Sequence, residues 1–421
     1  MNISTAVKPQ GTYRSLINLT GGSYFPIAFL GRLPFAMSVV GVLTLVATVR
    51  DSYSEAGITS GVVGVGSAIF GPFVGALADR LGQRMVVLWC AIANTLSLVL
   101  IVVLVYVDAH LLWILTAAFA VGITAPQVGS MVRARWLSMI PQKFSGAGVN
   151  KPISAAMSYE SMADELVFVF GPVLVGFLAF LISPGAPIVI AAGLTLVFTS
   201  AFALHRTARF ASGGIESRAA SAPGRDLLRP QVLLPVLGMA AVGLFFGSTL
   251  TSLTAFMGVY AEESQTGMIY GAMGIGSAVM AMAVVLLPES FSFRRRWIIF
   301  AAVAVAGAAV MPWVSSLPAM VAVLLLTGCG IGPSLVTLFS IGSKESPRGR
   351  TTTVMTMLTS GVIVGQAVSS AIVGSIAESG GHHLAYFAVL TATALLLVLG
   401  VINALLPESP RRTRTVGQNP V

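Results

Sequence analysis

The sequence predicts an all-α integral membrane protein: twelve transmembrane helices, arranged as two six-helix pseudo-repeat bundles around a central cavity. Three observations carry this expectation. Hydrophobic residues make up 56% of the 421-residue chain and charged residues only 9%, where a soluble domain carries about 25% charged residues. The apolar residues gather into twelve runs on the scale of a bilayer crossing, which needs about 20 of them. Two stretches of similar letters also lie in the two halves, 210 positions apart.

The runs lie near 24–49, 57–78, 85–106, 111–132, 152–182 and 187–205, then 231–260, 268–288, 297–314, 317–341, 351–377 and 383–406. Runs of this length exclude barrel strands, which cross with about ten alternating residues. A helix also keeps every backbone hydrogen bond internal, as hydrocarbon demands. The polar start, "MNISTAVKPQGTYRSLINLTGG", has no apolar core or cleavage site of a signal peptide. With that end inside, all of the 24 basic residues except Arg32 and Arg50 fall on the inner side, Arg133 and Arg135 among them. Both termini are then cytoplasmic, which an even number of crossings requires. The net charge of +9 reads as an inner face against anionic headgroups. No basic motif or aromatic platform suggests nucleic acid. Cys90 and Cys329 sit far apart in apolar runs and read as buried, inert thiols, with no disulfide, metal or cofactor implied.

The longest polar interval, His205 to Gln231, is rich in Gly, Ser, Ala and Arg, as a linker would be. It divides the chain into residues 1–205, a linker at 206–230, and 231–421. The halves look related. "VGVGSAIF" from Val63 matches "MGIGSAVM" from Met273, and the same shift carries Asp79 onto Glu289 and Arg84 onto Arg294. "GITAPQVG" from Gly122 pairs with "CGIGPSLV" from Cys329. Parallel six-helix repeats with a path between them are a transporter architecture.

The loop after the second run reads "GALADRLGQR", Gly75 to Arg84. It resembles the signature loop of the major facilitator superfamily, in which Gly75, Leu77, Ala78, Asp79, Arg80, Gly82 and Arg84 match and Gln83 replaces a usually basic residue. The resemblance implies a gating latch, with Asp79 set against the positive end of the eleventh helix at "GRTTT". Arg80 and Arg84 would hold the inner face. "FVFGPVLVG", Phe168 to Gly176, resembles in part the fifth-helix motif of the drug/proton antiporters in that superfamily. Gly171, Pro172 and Gly176 match, Val167 replaces the first glycine, and the eleventh helix carries only a degenerate equivalent at Gly365–Gln366. A proline there bends the helix, and the glycines would allow close packing at the bend.

Just ahead of that motif stand Glu160, Asp164 and Glu165. At about 100° per residue, Glu160 and Asp164 share a helix face and Glu165 points away. Arg32 lies at a similar depth in the first run. An ionised side chain at such depth costs about 2.5–3.5 kcal/mol on insertion scales, so these residues should face a cavity or each other. A carboxylate whose charge depends on access to either side of the membrane carries protons. The alternatives are a static Arg32–Glu160 or Arg32–Asp164 bridge, or direct substrate contact. The resemblance also implies a buried arginine four residues before a fourth-helix glycine. Ala118 stands four before Gly122, which makes Arg32 the natural substitute. Candidate cavity residues are Gln127, Asn94, Tyr159, Phe245, Phe246 and Gln366.

The expected activity is secondary active transport: proton-coupled antiport that exports small amphipathic compounds by alternating access, from a monomer in the cell membrane, with protons, lipids and a small-molecule substrate as partners. The alternative is a symporter or facilitator for a small polar solute such as a sugar, organic acid or amino acid. An enzyme is disfavoured, because the sequence pairs no nucleophile with a base and no metal ligands with each other.

Overall fold

The computed structural model describes residues 12–144, 149–211, 222–260, 266–288 and 290–407. The described residues form helices and connecting turns. The first half holds α1 (Thr12–Thr20), α2 (Tyr24–Leu30), α3 (Leu33–Val49), α4 (Tyr53–Leu81), α5 (Gln83–Tyr106) and α6 (Leu111–Thr124). It continues through α7 (Val128–Lys143), α8 (Asn150–Leu181), α9 (Ala186–Leu194), a π-helical turn at Thr195–Thr199, α10 (Ser200–Leu204) and α11 (Ala208–Ala211). The second half holds α12 (Pro230–Tyr260), α13 (Thr266–Ala283), α14 (Phe293–Val310), α15 (Leu317–Glu345) and α16 (Thr351–Leu405).

Among the described residues, eleven stretches are long and apolar enough to cross a membrane. The 32-residue α8 is the twelfth long helix, about 48 Å at 1.5 Å per residue. α16 supplies two stretches, because Gly381 (φ 70°) interrupts it. Large apolar side chains such as Phe73, Trp89 and Phe180 point outward. That is costly in water and natural against lipid.

Local chemistry sets the helix ends. Ser52 caps α4 by accepting from the Glu55 amide, and α4 stops at Gly82, whose φ of 90° suits glycine. Ser292 caps α14 through Arg295. The polar linker is less featureless than its composition suggests. The α11 turn and a 3₁₀ turn at Gly224–Leu228 flank the undescribed residues. Ala222 ties to the α15–α16 turn, its amide donating to the Arg348 carbonyl and its carbonyl accepting from the Arg350 side chain Nε.

The pseudo-repeat is visible in the packing. A Cβ added to Gly122 on α6 would meet Val63 and Ser67 on α4, and one added to Gly328 on α15 would meet Met273 and Ser277 on α13. Since 273 − 63 and 277 − 67 both equal 210, the two crossings are equivalent. The packing pairs Gly122 with Gly328, one residue earlier than the letters suggest. Glu289, the expected partner of Asp79 in the repeat, lies outside the described residues.

The halves differ in one respect that matters. The first crossing is broken at Gly31–Arg32, between α2 and α3, and the fourth at Ala125–Gln127, between α6 and α7. Their counterparts α12 and α15 run unbroken past Pro235 and Pro333. Thr199 on the π-helical turn donates to the Gly31 carbonyl that the first break exposes.

Candidate functional site

The α4–α5 loop closes one face of the protein against the second half. Asp79 accepts from the amides of Thr352 (3.0 Å) and Thr353 (2.8 Å) and from the Thr353 hydroxyl (2.7 Å). These are first-turn donors of α16, so Asp79 caps that helix from the other half. Gly75 lies against Thr352 and Thr356, so close that a Cβ would stand 3.0 Å from the Thr352 carbonyl. Ser130 on α7 shares a 2.9 Å bond with Thr359. Arg80 and Arg84 are exposed. Gln83, which departs from the family pattern, is buried and bridges the halves, donating to Thr352 Oγ1 and accepting from Arg135 Nε at 2.9 Å.

Deeper in, the break between α2 and α3 presents Arg32 to α8. Arg32 Nη2 donates to Glu160 Oε2, and Nη1 reaches Asp164 Oδ1 at 3.1 Å. One turn of helix separates the two acids, so a single guanidinium spans both. Glu160 is fully enclosed (0% exposed), and its other oxygen accepts from Trp136 Nε1 at 2.6 Å. Tyr24 and Phe25 pack on Trp136, and Tyr159 packs on Phe25. Asp164 is different: it is 27% exposed and accepts from Arg133 Nη2 at 2.7 Å as well as from Arg32.

Arg133 and Arg135 correct the sequence reading. The fourth crossing extends to Lys143 rather than ending near residue 132, so neither arginine lies in an inner loop. Both are enclosed in the bundle, at 1% and 0% exposed. Arg133 pairs with Asp164 and stacks 3.7 Å over Phe339 of α15. A buried arginine therefore does occur on the fourth crossing, beyond the break and not four residues before Gly122. Arg135 stacks on Phe202 and donates to its carbonyl. The spacing of Val132, Trp136, Met139 and Ile140 was the available signal, since it continues a helical apolar face past both charges.

The remaining candidates divide. Asn94 lines a narrow crevice with Gly31, Pro34, Ala125 and Pro126, and its amide holds the Val121 carbonyl on α6. Gln127 ends the second break and donates to Ser67. Phe245 is fully buried in the core, so it packs the second half instead of lining an open cavity; Phe246 beside it and Gln366 are half-buried. Gly171 meets Ala36 on α3 as a close-packing glycine should, whereas Gly176 is exposed with no neighbour within 4 Å of an added Cβ. The expected close contact at Gly176 is absent because that face of α8 is open. The side chains of Glu165 and Pro172 lie outside the described residues.

Eleven candidate membrane spans and the long α8 among the described residues, packed as two repeated halves with a buried charge cluster at two helix breaks, have the architecture of a membrane transporter. The chain belongs to the Major Facilitator Superfamily, whose family model matches residues 24–362. Solved structures agree on the fold. A human organic anion transporter, MFSD10 (TETRAN), is 18% identical with a TM-score of 0.68, covering 90% of this chain and 98% of its own. A bacterial homologue of the iron transporter ferroportin, in an outward-facing state, is 14% identical with a TM-score of 0.69, covering 90% and 99%. The E. coli fucose:proton symporter FucP is 13% identical with a TM-score of 0.64, covering 90% and 99%. A search of curated protein sequences returns no match.

Proposed function

We propose that this transporter is proton-coupled, that it moves small amphipathic compounds by alternating access, and that Asp164 is the carboxylate that gains and loses the proton. One observation carries this reading: Asp164 is the partly exposed member of a cluster of two arginines and two acids, while Glu160 is sealed. Glu160 fixes Arg32, and Arg32 and Arg133 are the two partners that a proton on Asp164 would displace. The bundles at 1–205 and 231–421 rock about the site, with 206–230 as their tether. The latch at Asp79 closes the inner face in one state. The protein works as a monomer in the cell membrane, with both termini inside.

The partial match at Gly171–Pro172 supports export by antiport as the transport mode. Symport is the second reading, and one feature favours it. Asp164 is flanked by two guanidiniums, so its protonation leaves positive charge free for an acidic solute. Everted vesicles carrying a preformed proton gradient test the coupling. Adding compounds from a panel of amphipathic amines and carboxylates should change the gradient, and Asp164→Asn should abolish the response. Gradient-driven transport at the wild-type rate by Asp164→Asn would overturn the assignment.

A further inference from the structure

The coupling reading leaves the charge of the cargo open, and the donors around Gly129 narrow it. We infer that the site takes the acidic group of its amphipathic substrate, a carboxylate or similar oxyanion, beside Gly129 between Arg32 and Arg133. The inference rests on the assignment of Asp164 as the exchanging group.

Arg133 is 99% enclosed, yet its Nε and Nη1 have no acceptor, and neither has Arg32 Nε. A buried donor without a partner is costly, so these three groups mark a place where an oxygen belongs. They converge. A Cβ on Gly129 would stand 3.3 Å from Asp164 Oδ1, 3.6 Å from Arg133 Nη1 and 3.8 Å from Arg32 Nε. Gly129 is also the second residue of α7, a 16-residue helix that starts afresh after the break; the Val128 amide donates back to the Pro126 carbonyl, and the amides of Gly129 and Ser130 have no carbonyl four residues back within the helix. Side-chain donors and helix end meet at one glycine.

The carboxylate of Asp164 now serves as the internal occupant. It takes one hydrogen from each arginine and leaves the other three donors unused. When Asp164 accepts a proton, Arg32 Nη1 and Arg133 Nη2 are released as well. Glu160, the other acid at Arg32, stays held by Trp136. A substrate oxyanion arriving from the exposed side of Asp164 then finds two guanidiniums and a helix N-terminus. A crevice lined by Gly31, Pro34, Phe35, Ala125 and Pro126 adjoins both breaks and presents apolar surface there. A cationic substrate finds the same two guanidiniums and no free carboxylate, which disfavours it. Anion and proton therefore bind together, which selects the symport reading of the site over antiport.

Three probes with one apolar body test this on the purified full-length protein: phenylbutyrate, phenylbutanol and phenylbutylamine. Thermal unfolding and Trp136 fluorescence report binding, and a pH indicator in weak buffer reports protons. Phenylbutyrate should raise the melting temperature most and take up a proton on binding. Gly129→Ala, which crowds the point of convergence and keeps every charge, should weaken phenylbutyrate about tenfold. Equal effects from the three probes, or none, would overturn the inference. Tighter binding of phenylbutylamine with proton release would also overturn it while leaving proton coupling at Asp164 intact. Binding of phenylbutyrate without proton uptake would instead refute the coupling reading.

Discussion

Replacing Asp79 with asparagine separates the charge of the latch from its shape. The carboxylate accepts three hydrogen bonds from the first turn of α16 at 2.7–3.0 Å. Bonds to a charged acceptor contribute about 1.5–3 kcal/mol each. Charge at a helix N-terminus adds about 0.3–1 kcal/mol. Asparagine keeps one acceptor oxygen of nearly the same size, so part of the network survives. The closed form should lose about 2–4 kcal/mol relative to the open one, a shift of roughly 30- to 700-fold in their ratio. Spin labels at Gln142→Cys and Lys344→Cys, both exposed and on opposite halves, in a background lacking Cys90 and Cys329, read that ratio by electron–electron resonance. The Asp79→Asn distribution should gain a longer-distance population and transport should slow. Distances and rates both matching the parent would refute the latch.

Gly75→Val should open the same face by another route, because a side chain there would strike the Thr352 carbonyl; the same labels should report it while Asp79 is intact. Arg32→Ala strands the enclosed carboxylate of Glu160, at a cost of about 3–5 kcal/mol, and thermal unfolding should recover partly in Arg32→Ala/Glu160→Gln. No recovery would mean that Arg32 acts mainly through Asp164. His205 lies just beyond the sixth crossing, with its proton affinity lowered by burial and by the nearby charges of Arg135 and Arg206. Its folded form prefers the neutral ring, which accepts from the Thr207 amide. The stability it contributes is therefore present above its ordinary value near 6.5 and lost as pH falls below it. His205→Gln should flatten that part of the pH–stability curve.

Most crossing boundaries were legible because hydropathy over about 20 residues is a strong signal in a bilayer protein. The failure fell where hydropathy and burial part company. Val128–Lys143 carries Arg133, Arg135 and Lys143 in a stretch of low mean apolarity, and reads as a loop by composition. It folds inward because Asp164, Phe339, Gln83 and Phe202 receive the two guanidiniums. Those partners lie 31 or more positions away in the chain, so no local window contains the reason. Pairing of Arg32 with α8 was legible, since charges at one depth in oil must meet. The break that aims Arg32 was not: Gly31 and Pro34 are ordinary in a membrane helix, and only the Thr199 bond shows why an interruption there is tolerated.

The machinery is asymmetric, and under the proposed coupling that asymmetry gives one proton a route to both bundles. All three arginine–acid pairs of the central cluster lie within the first half. The second half meets that cluster at Phe339, under the Arg133 guanidinium at 3.7 Å. A cation over an aromatic ring is worth about 0.5–2 kcal/mol when desolvated. Arg133 therefore serves two partners at once: Asp164 on its own half and Phe339 on the other. Protonating Asp164 removes one of them, and the orientation of Arg133 that favours Phe339 loses its anchor. A free-energy change at one carboxylate is thereby delivered to a contact between halves, on the same α7 helix whose Ser130 bonds to α16. Alternating access needs such a group, with differential contacts in two states. In the proposed mechanism Arg133 is that group, in contact with both Asp164 and Phe339.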